Sequence, residues 1–386
     1  VRSATPSTRR RADRAAPRAY ALIAGGGTGG HVLPAIAIAR ALVAAGHPPE
    51  SIQFVGSARG MERRLVPAAG FDVTLLPGRG VARRLTRDNV GAVAGTLLAV
   101  LRAVGIVARR RPSVVVSVGG YASVPCVVGA ALLRVPLVVA EQNAVPGLAN
   151  RLAGRVARVA AVSFPGTALP NAVVTGNPVR PEMLVVDRSP GGRRAARRAL
   201  GLDEDATVVA VSGGSLGARR INTATVGLAA RWAGRPGLVV YHVVGERDAV
   251  AMAVARPHPV PGGLVYRQVG FEDRMELLYA AADVAVQRAG ASTVFELAAA
   301  GVPSVLVPLP GAPGDHQMAN ARRLEAVGAA VVVPDDELDA ARLATVVDAL
   351  LADRDGLDAM GRAATGLARP DAAAAVAALA ERYARA

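Results

Sequence analysis

"ALIAGGGTGGHVLPAIAIARAL", residues 21–42, joins a short apolar run to an apolar stripe of helical spacing through a turn, Gly25–Gly30, built from glycine and one threonine. Strand, glycine turn and helix in that order are the opening unit of a parallel α/β sheet. Glycine lets the backbone approach a ligand closely, and the following helix directs free N–H groups and its positive end at the same point, so an anion, phosphate above all, is the expected guest. Gly25, Gly27 and Gly30 also fit the dinucleotide pattern G-x-G-x-x-G, but the next strand runs into "FVGSARGMERR" with no acidic residue at its end to grip a ribose. His31 opens the helix beside the expected anion. Its imidazole can cap or pack there, donate to phosphate, or act as a base on a sugar hydroxyl.

Outward from this unit, Val/Ile/Leu-rich runs alternate with longer Ala-rich stretches from residue 19 onward, as buried parallel strands and crossover helices require. After "VVTGNPVR" the order restarts: "ALIAGGGTGGH" corresponds to "VVAVSGGSLGA", "VVSVGGYAS" to "VAVQRAGAST", and "LRVPLVVAEQN" to "AGVPSVLVPLP". The predicted architecture is therefore α/β, two doubly wound Rossmann-like domains facing a cleft, with a site at the carboxyl ends of the strands on each wall. The expected divisions are a disordered basic tail at 1–18, a first domain at 19–177, a hinge near Asn177–Pro181, a second domain at 178–365, and a C-terminal helix at 366–386 that caps the second domain or returns to the first.

Bulk composition narrows the function. A chain of 386 residues is long for one core, and at roughly 100–200 residues per domain it suggests two. Its single cysteine, Cys126 in "SVPCVVGAA", excludes an intrachain disulfide and a multi-cysteine metal site and reads as a small core residue. Every basic side chain other than histidine is arginine, so a P-loop lysine, a Schiff-base lysine and a lysine base are all excluded. The net charge is +15, and an excess remains without the tail, which holds six arginines and one aspartate. Such a field favours anionic partners, while the scarcity of aromatics among the basic residues speaks against nucleic acid. The tail lacks the apolar core of a secretory signal. The most apolar later stretches, 90–108 and 122–140, are interrupted by arginine and do not read as membrane spans.

In the second half, "QRAGASTVFELAAAGVPS" ends a strand at Arg288 and opens a helix at Ala291–Thr293 whose first turn is expected to include Glu296. An anion can meet Arg288, the helix N-terminus and the Thr293 hydroxyl while Glu296 accepts two vicinal hydroxyls, a grouping that suits a nucleotide sugar. For Arg288 a structural ion pair is the competing reading, and for Glu296 a capping carboxylate. The Asp-x-Asp spacings, Asp203/Asp205 and Asp353/Asp355, lie far from any glycine turn and read as solvated surface, so neither a metal nor a cofactor is expected.

Taken in order, "GGTGGHVLPA", "GGYASVP", "EQNAVPGLAN", "GNPVR", "GGSLGA", "RAGASTVFELAAAGVPS" and "DHQMANA" resemble the MurG glycosyltransferases of peptidoglycan synthesis, from about residue 19 to the C-terminus. That resemblance implies the GT-B architecture and transfer of N-acetylglucosamine (GlcNAc), with inversion, from UDP-GlcNAc to the 4-hydroxyl of undecaprenyl-diphosphate-MurNAc-pentapeptide, lipid I, giving lipid II. It implies that Thr28, Gly29 and Gly30 face the cleft and that Asn143 contacts the transferred sugar. Arg180, Ser215, Phe271, Gln317 and the run Ala291, Ser292, Thr293, Val294, Phe295 and Glu296 would hold the donor. His31 is the first choice of base and Glu141 its rival. The sequence departs from the family where Leu216 replaces glutamine, Ala289 replaces serine, and Phe295 fills a position usually small or polar.

A lipid-linked acceptor implies peripheral attachment to an anionic membrane surface, on the cytoplasmic face of a bacterial cell membrane. Residues 79–111 carry Arg79, Arg83, Arg84, Arg87, Arg102, Arg109, Arg110 and Arg111 around Val90, Val93, Leu97, Leu101, Val104 and Val107 at helical spacing. That stripe fits core packing and membrane contact equally well. Two readings from other classes stand beside the enzyme: a nicotinamide-dependent oxidoreductase, from the first glycine turn alone, and a non-catalytic nucleotide-sugar binding protein.

Overall fold

The computed structural model describes residues 18–77, 88–214 and 217–385, with 88–94 described through the backbone alone. Ser215, Leu216, Arg79, Arg83, Arg84, Arg87, the side chains of Val90 and Val93, and nearly all of the basic tail lie outside the described residues.

The first domain is a parallel sheet of β1 (Ala21–Gly25), β2 (Ile52–Ser57), β3 (Asp72–Leu76), β4 (Val114–Gly119), β5 (Leu137–Glu141), β6 (Val159–Val162) and β7 (Ala172–Val174), in the spatial order β3-β2-β1-β4-β5-β6-β7. Its crossovers carry α1 (Gly29–Ala44), α2 (Glu62–Ala68), α3 (Asp88–Arg110), α4 (Ser123–Leu132) and α5 (Leu148–Gly154). Every residue of β2, β4 and β5 is buried, the uninterrupted apolar reading expected of strands covered on both faces.

The second domain follows two short connectors, α6 (Pro181–Leu184) and α7 (Pro190–Ala199). It contains β8 (Thr207–Ser212), α8 (Arg219–Arg231), β9 (Leu238–Val243), α9 (Ala249–Val254), β10 (Val265–Val269), α10 (Met275–Ala281), β11 (Val284–Gln287), α11 (Ala291–Ala300), β12 (Ser304–Leu306), α12 (His316–Glu325) and β13 (Ala330–Val332). The chain closes with α13 (Ala340–Ala352), α14 (Arg354–Leu367) and α15 (Ala372–Tyr383). The second sheet has the order β10-β9-β8-β11-β12-β13, the same winding as the first without its last strand. The repeat in the sequence is thus a repeat of topology, and in each domain the strand order reverses beside the first strand, where a crevice opens.

Apolar packing joins the domains in two places. The helix α15 packs on α1 and inserts Val376, Ala377 and Ala380 into the core of the first domain, so the chain crosses between domains twice. Phe295 of α11 is buried against Phe164, which follows β6, with ring centroids 4.8 Å apart. Among the described residues no helix is long and apolar enough to cross a membrane. Cys126 is fully buried in α4, and burial pushes its thiol up to about 12.

Candidate active site

The first glycine turn is shaped by a residue that its own sequence does not reveal. Gly26 and Gly27 carry positive φ angles, and the amide of Gly27 donates to Oε2 of Glu62 at 2.8 Å, while the amide of Ser57 donates to Oε1. Glu62 is 2 % exposed. A Cβ on Gly26, Gly56 or Gly60 would collide with its carboxylate, so three glycines clear the space it fills. The anion held by the innermost part of this turn is therefore the protein's own. A phosphate there would meet a carboxylate, which leaves the open first turn of α1, the amides of Gly29 and Gly30, as the place for an external anion. The same fact removes the basis for a nicotinamide site: the acid following β2 orders the turn and does not reach toward a ribose.

His31 lies in that first turn. Its Nδ1 is 3.2 Å from the Thr28 hydroxyl, and the edge bearing Nε2 packs over the Cα of Gly119, next to the Asn150 amide. A side chain at Gly119 would displace the ring, and one at Gly120 would strike the Gly26 carbonyl, which is why "VGGYAS" must be glycine there. Burial lowers the His31 pKa below its usual value; Glu141 and Glu62 pull it up, and His316 of the second domain pushes it down from across the cleft. The imidazole is therefore neutral at physiological pH, the form in which a nitrogen lone pair can take a proton.

Glu141, expected as a rival base, sits at the end of β5 with both oxygens engaged. It accepts from the Asn143 amide (2.9 Å), the Asn143 side chain (3.1 Å), the Gly147 amide (3.1 Å) and the Asn150 side chain (3.0 Å). Four donors on one buried carboxylate fix the loop 141–150, an arrangement suited to positioning. Asn143 is turned toward the second domain: its Oδ1 accepts from Nδ2 of Asn320 at 3.1 Å. Asn320, fully buried in α12, also donates to the Ala289 carbonyl and accepts from the Ala144 amide at 2.9 Å. This single side chain ties the loop after β5 to the residue preceding the cap of α11. It lies in "DHQMANA", where it is indistinguishable by sequence from any polar residue of an amphipathic helix.

On the second wall, α11 begins after Gly290, and the amides of Ala291, Ser292 and Thr293 form its open first turn. The Ser292 hydroxyl is buried there with no hydrogen-bond partner among the described residues. Glu296 accepts from Nε of Arg180 at 3.0 Å through Oε1, so these two predicted site residues meet each other. Burial raises the Glu296 pKa, and Arg180 opposes that rise. Among the described residues Oε2 of Glu296 has no protein partner and remains available to hydroxyls. Gln317 accepts from the Leu309 amide at 2.9 Å, and Phe271 is exposed at the rim after β10.

Two expectations change, that for Arg288 and that for Val294 and Phe295. Arg288 does not present a free guanidinium: its Nη1 donates to the carbonyls of Val307 and Pro308 and to Asp335 at 2.6 Å, so the ion-pair reading describes it. Asp335 lies 47 residues away, which is why the pairing was not legible. Phe295 and Val294 are buried, Phe295 against Phe164 and both within the domain core, because a helix that offers one face to a ligand must bury the opposite one. The Asp-x-Asp pairs are locally engaged: Asp203 accepts from the Asp205 amide, Asp205 pairs with Arg194, and Asp353 caps α14. Among the described residues no three His, Cys, Asp or Glu gather closely enough to hold a metal ion.

The two walls match two halves of one known family. Residues 21–162 match the glycosyltransferase family 28 N-terminal domain, and residues 208–376 match the glycosyltransferase family 28 C-terminal domain. A UDP-N-acetylglucosamine--N-acetylmuramyl-(pentapeptide) pyrophosphoryl-undecaprenol N-acetylglucosamine transferase of Alkalilimnicola ehrlichii is 44 % identical over 358 residues, covering 92 % of this chain and 96 % of its own. One of the same description from Acidothermus cellulolyticus is 41 % identical over 372 residues, covering 95 % and 98 %. The crystal structure of Acinetobacter baumannii MurG superposes with a TM-score of 0.74 at 29 % identity, covering 95 % of this chain and all of that one. Two cradles of equal winding, the paired Arg180 and Glu296, and this agreement along nearly the whole chain make it a member of the MurG family of glycosyltransferases, with the GT-B fold.

Proposed function

We propose that this chain transfers GlcNAc from UDP-GlcNAc to the MurNAc 4-hydroxyl of lipid I, giving lipid II, with inversion at the anomeric carbon. The observation that carries the reading is the apposition of two open helix N-termini. The helices α1 and α11 are in contact, one bringing His31 and the other Ser292 and Thr293, and the buried Asn320 bridge holds the loops behind them together. The donor diphosphate lies on the first turn of α11, with the ribose on Glu296 and Arg180 beside it. The acceptor diphosphate approaches the first turn of α1. The 4-hydroxyl oxygen bonds to the anomeric carbon as its bond to UDP breaks; His31 takes the hydroxyl proton, and UDP leaves as the anion that the helix dipole stabilises. No Asp-x-Asp pair takes part.

The direct test is to incubate the protein with labelled UDP-GlcNAc and a lipid I analogue. The expected outcome is labelled lipid II; a protein that binds UDP-GlcNAc without turning it over would be a binding protein instead. His31→Ala should lower kcat by about 10²-fold or more, the usual range for a general base, and leave UDP affinity unchanged. An unchanged kcat would remove His31 from the mechanism.

Attachment to the membrane surface is part of the same proposal. On α3, Val107 is in the core and Val104 half-buried, whereas Leu97 and Leu101 are 62 % and 71 % exposed. The stripe is therefore split. Its N-terminal part faces outward, followed by exposed Arg102, while exposed Leu132 and Leu133 close the far end of α4, whose Gly129 packs at Val104 and Val107, with exposed Arg109 and Arg134 towards that end. An apolar patch rimmed by arginine fits the headgroup region of an anionic leaflet, placing the protein peripherally on the cytoplasmic face where its acceptor is presented.

A further inference from the structure

At the opposite end of the second sheet from the cleft lies a cavity of about 880 Å³. It is bounded by Thr207 at the start of β8, by Asp283 and Pro303 just ahead of β11 and β12, by the C-terminal end of α11, and by α14. Arg188, Arg193, Arg194, Arg197, Arg354 and Arg362 all line it, against only three carboxylates. One of these, the buried Asp283, is shared by Arg193, Arg197 and Arg354 together. Asp205 is answered by Arg194 at the surface. Among the described residues Arg188 pairs with no carboxylate: its Nη1 donates to the carbonyls of Tyr279 and Ala282. Burial, and after it the neighbouring Arg193, bring its pKa down to about 10, while Asp283 and Asp358 act against that fall. Arg362 is exposed and unpaired among the described residues.

A purely structural ion-pair network balances its charges, because an unmatched guanidinium in a shared cavity is destabilised by its neighbours. Here three positive charges are left over. Ser189 and Pro190, which open α7, stand on the same wall, but the start of that helix is already capped, by the Ser189 hydroxyl on the Gly192 amide and by Asp187 on the Ser189 amide, so the arginines carry the positive charge of the cavity. Guanidinium forks match phosphate oxygens two at a time, and the volume lies within the roughly 300–1,000 Å³ typical of small-ligand sites. We propose that this cavity binds a soluble anion carrying two or more phosphate groups, at a site separate from the cleft. Its occupant and the nucleotide sugar would sit at opposite ends of α11, whose first turn faces the cleft and whose last residues, Ala299 and Ala300, line the cavity.

The test is calorimetric titration of inorganic pyrophosphate into the full chain, with and without saturating UDP. UDP closes the cleft to competition, and its own titration reports on that site independently. Pyrophosphate binding should persist under UDP. It should weaken by about tenfold or more in Arg194→Gln/Arg362→Gln, both exposed positions, and tighten in Asp358→Asn, which removes an opposing charge. Inorganic phosphate should bind more weakly than pyrophosphate, and phosphatidylglycerol vesicles should bind the wild type and the double variant equally. Absence of binding under UDP, or equal affinity in wild type and double variant, overturns the proposal. Vesicle binding lost in the double variant without pyrophosphate binding assigns the arginines to lipid headgroups and overturns it equally.

Discussion

At the scale of single residues, the site depends on groups whose partners are distant in sequence. Glu62 is the clearest case, because its carboxylate accepts two backbone amides while three glycines make room for it. Glu62→Gln keeps the shape but turns an NH₂ group toward one of those N–H donors, leaving a buried donor unpaired at a cost of about 1–3 kcal/mol. The variant should melt lower and lose kcat as the turn carrying Thr28 to His31 relaxes, with UDP affinity unchanged because α11 is untouched. Equal kcat in variant and wild type would show that the carboxylate does not order the turn. His31, Ser292, Thr293 and Glu296 were legible because each belongs to a local motif near a helix start, and Arg180 only through the resemblance of "GNPVR". Glu62, Asn320 and Asp335 were not: what makes them matter is a contact across the fold, to Gly27, Asn143 and Arg288 respectively.

Elements were more legible than contacts, because the internal repeat specifies winding. Matching "VVSVGGYAS" to "VAVQRAGAST" places β4 and β11 equivalently, each beside the first strand of its sheet. Edge strands such as β7, exposed at each of its three residues, carry no such pattern. The strand β9 adds a feature that hydropathy alone disguises, a fully buried His242. Asn222 donates to the Val244 carbonyl and to Asp248, so its Oδ1 accepts from His242 Nε2–H, and Nδ1 accepts from the Tyr266 hydroxyl. This neutral tautomer underlies the second glycine turn, since Gly217 abuts Val244 and Asp248. Burial lowers the His242 pKa to about 3. The unfolded chain therefore binds a proton near pH 6.5 that the native domain refuses, and stability contributed by the neutral ring is present above that pH and falls as the pH drops toward 3. At pH 4.5 the loss from this residue is about 2–3 kcal/mol relative to pH 7. Trp232, the only tryptophan, lies in the same domain core and reports its unfolding by fluorescence. Urea midpoints should fall less between pH 7 and 4.5 in His242→Gln than in wild type; parallel falls would mean that the ring is not the sensitive group.

For the whole molecule, the question is how a two-domain cleft reaches an acceptor anchored in lipid. The second domain meets the first through α15, the Phe164–Phe295 pair and the Asn320 bridge. Among the described residues these contacts leave the outward parts of α3 and α4 unpartnered, so the first domain has a face to offer a surface while the cleft stays open to the donor. Burying a leucine side chain is worth about 1.5–3 kcal/mol, and each arginine near an anionic surface about 1 kcal/mol, so neither term alone gives firm attachment and together they suffice. Leu97→Ser/Leu101→Ser removes most of the apolar term without opening the core, because both side chains are already exposed. Sedimentation with phosphatidylglycerol vesicles should fall at least tenfold in the double variant, and wild-type binding should weaken with added salt. Turnover of an acceptor embedded in vesicles should fall in parallel, while turnover of a short-chain soluble acceptor analogue stays at the wild-type level, since the cleft is unchanged. Equal loss on both acceptors would place these leucines in the fold of the first domain, and unchanged vesicle binding would move the membrane contact to another face.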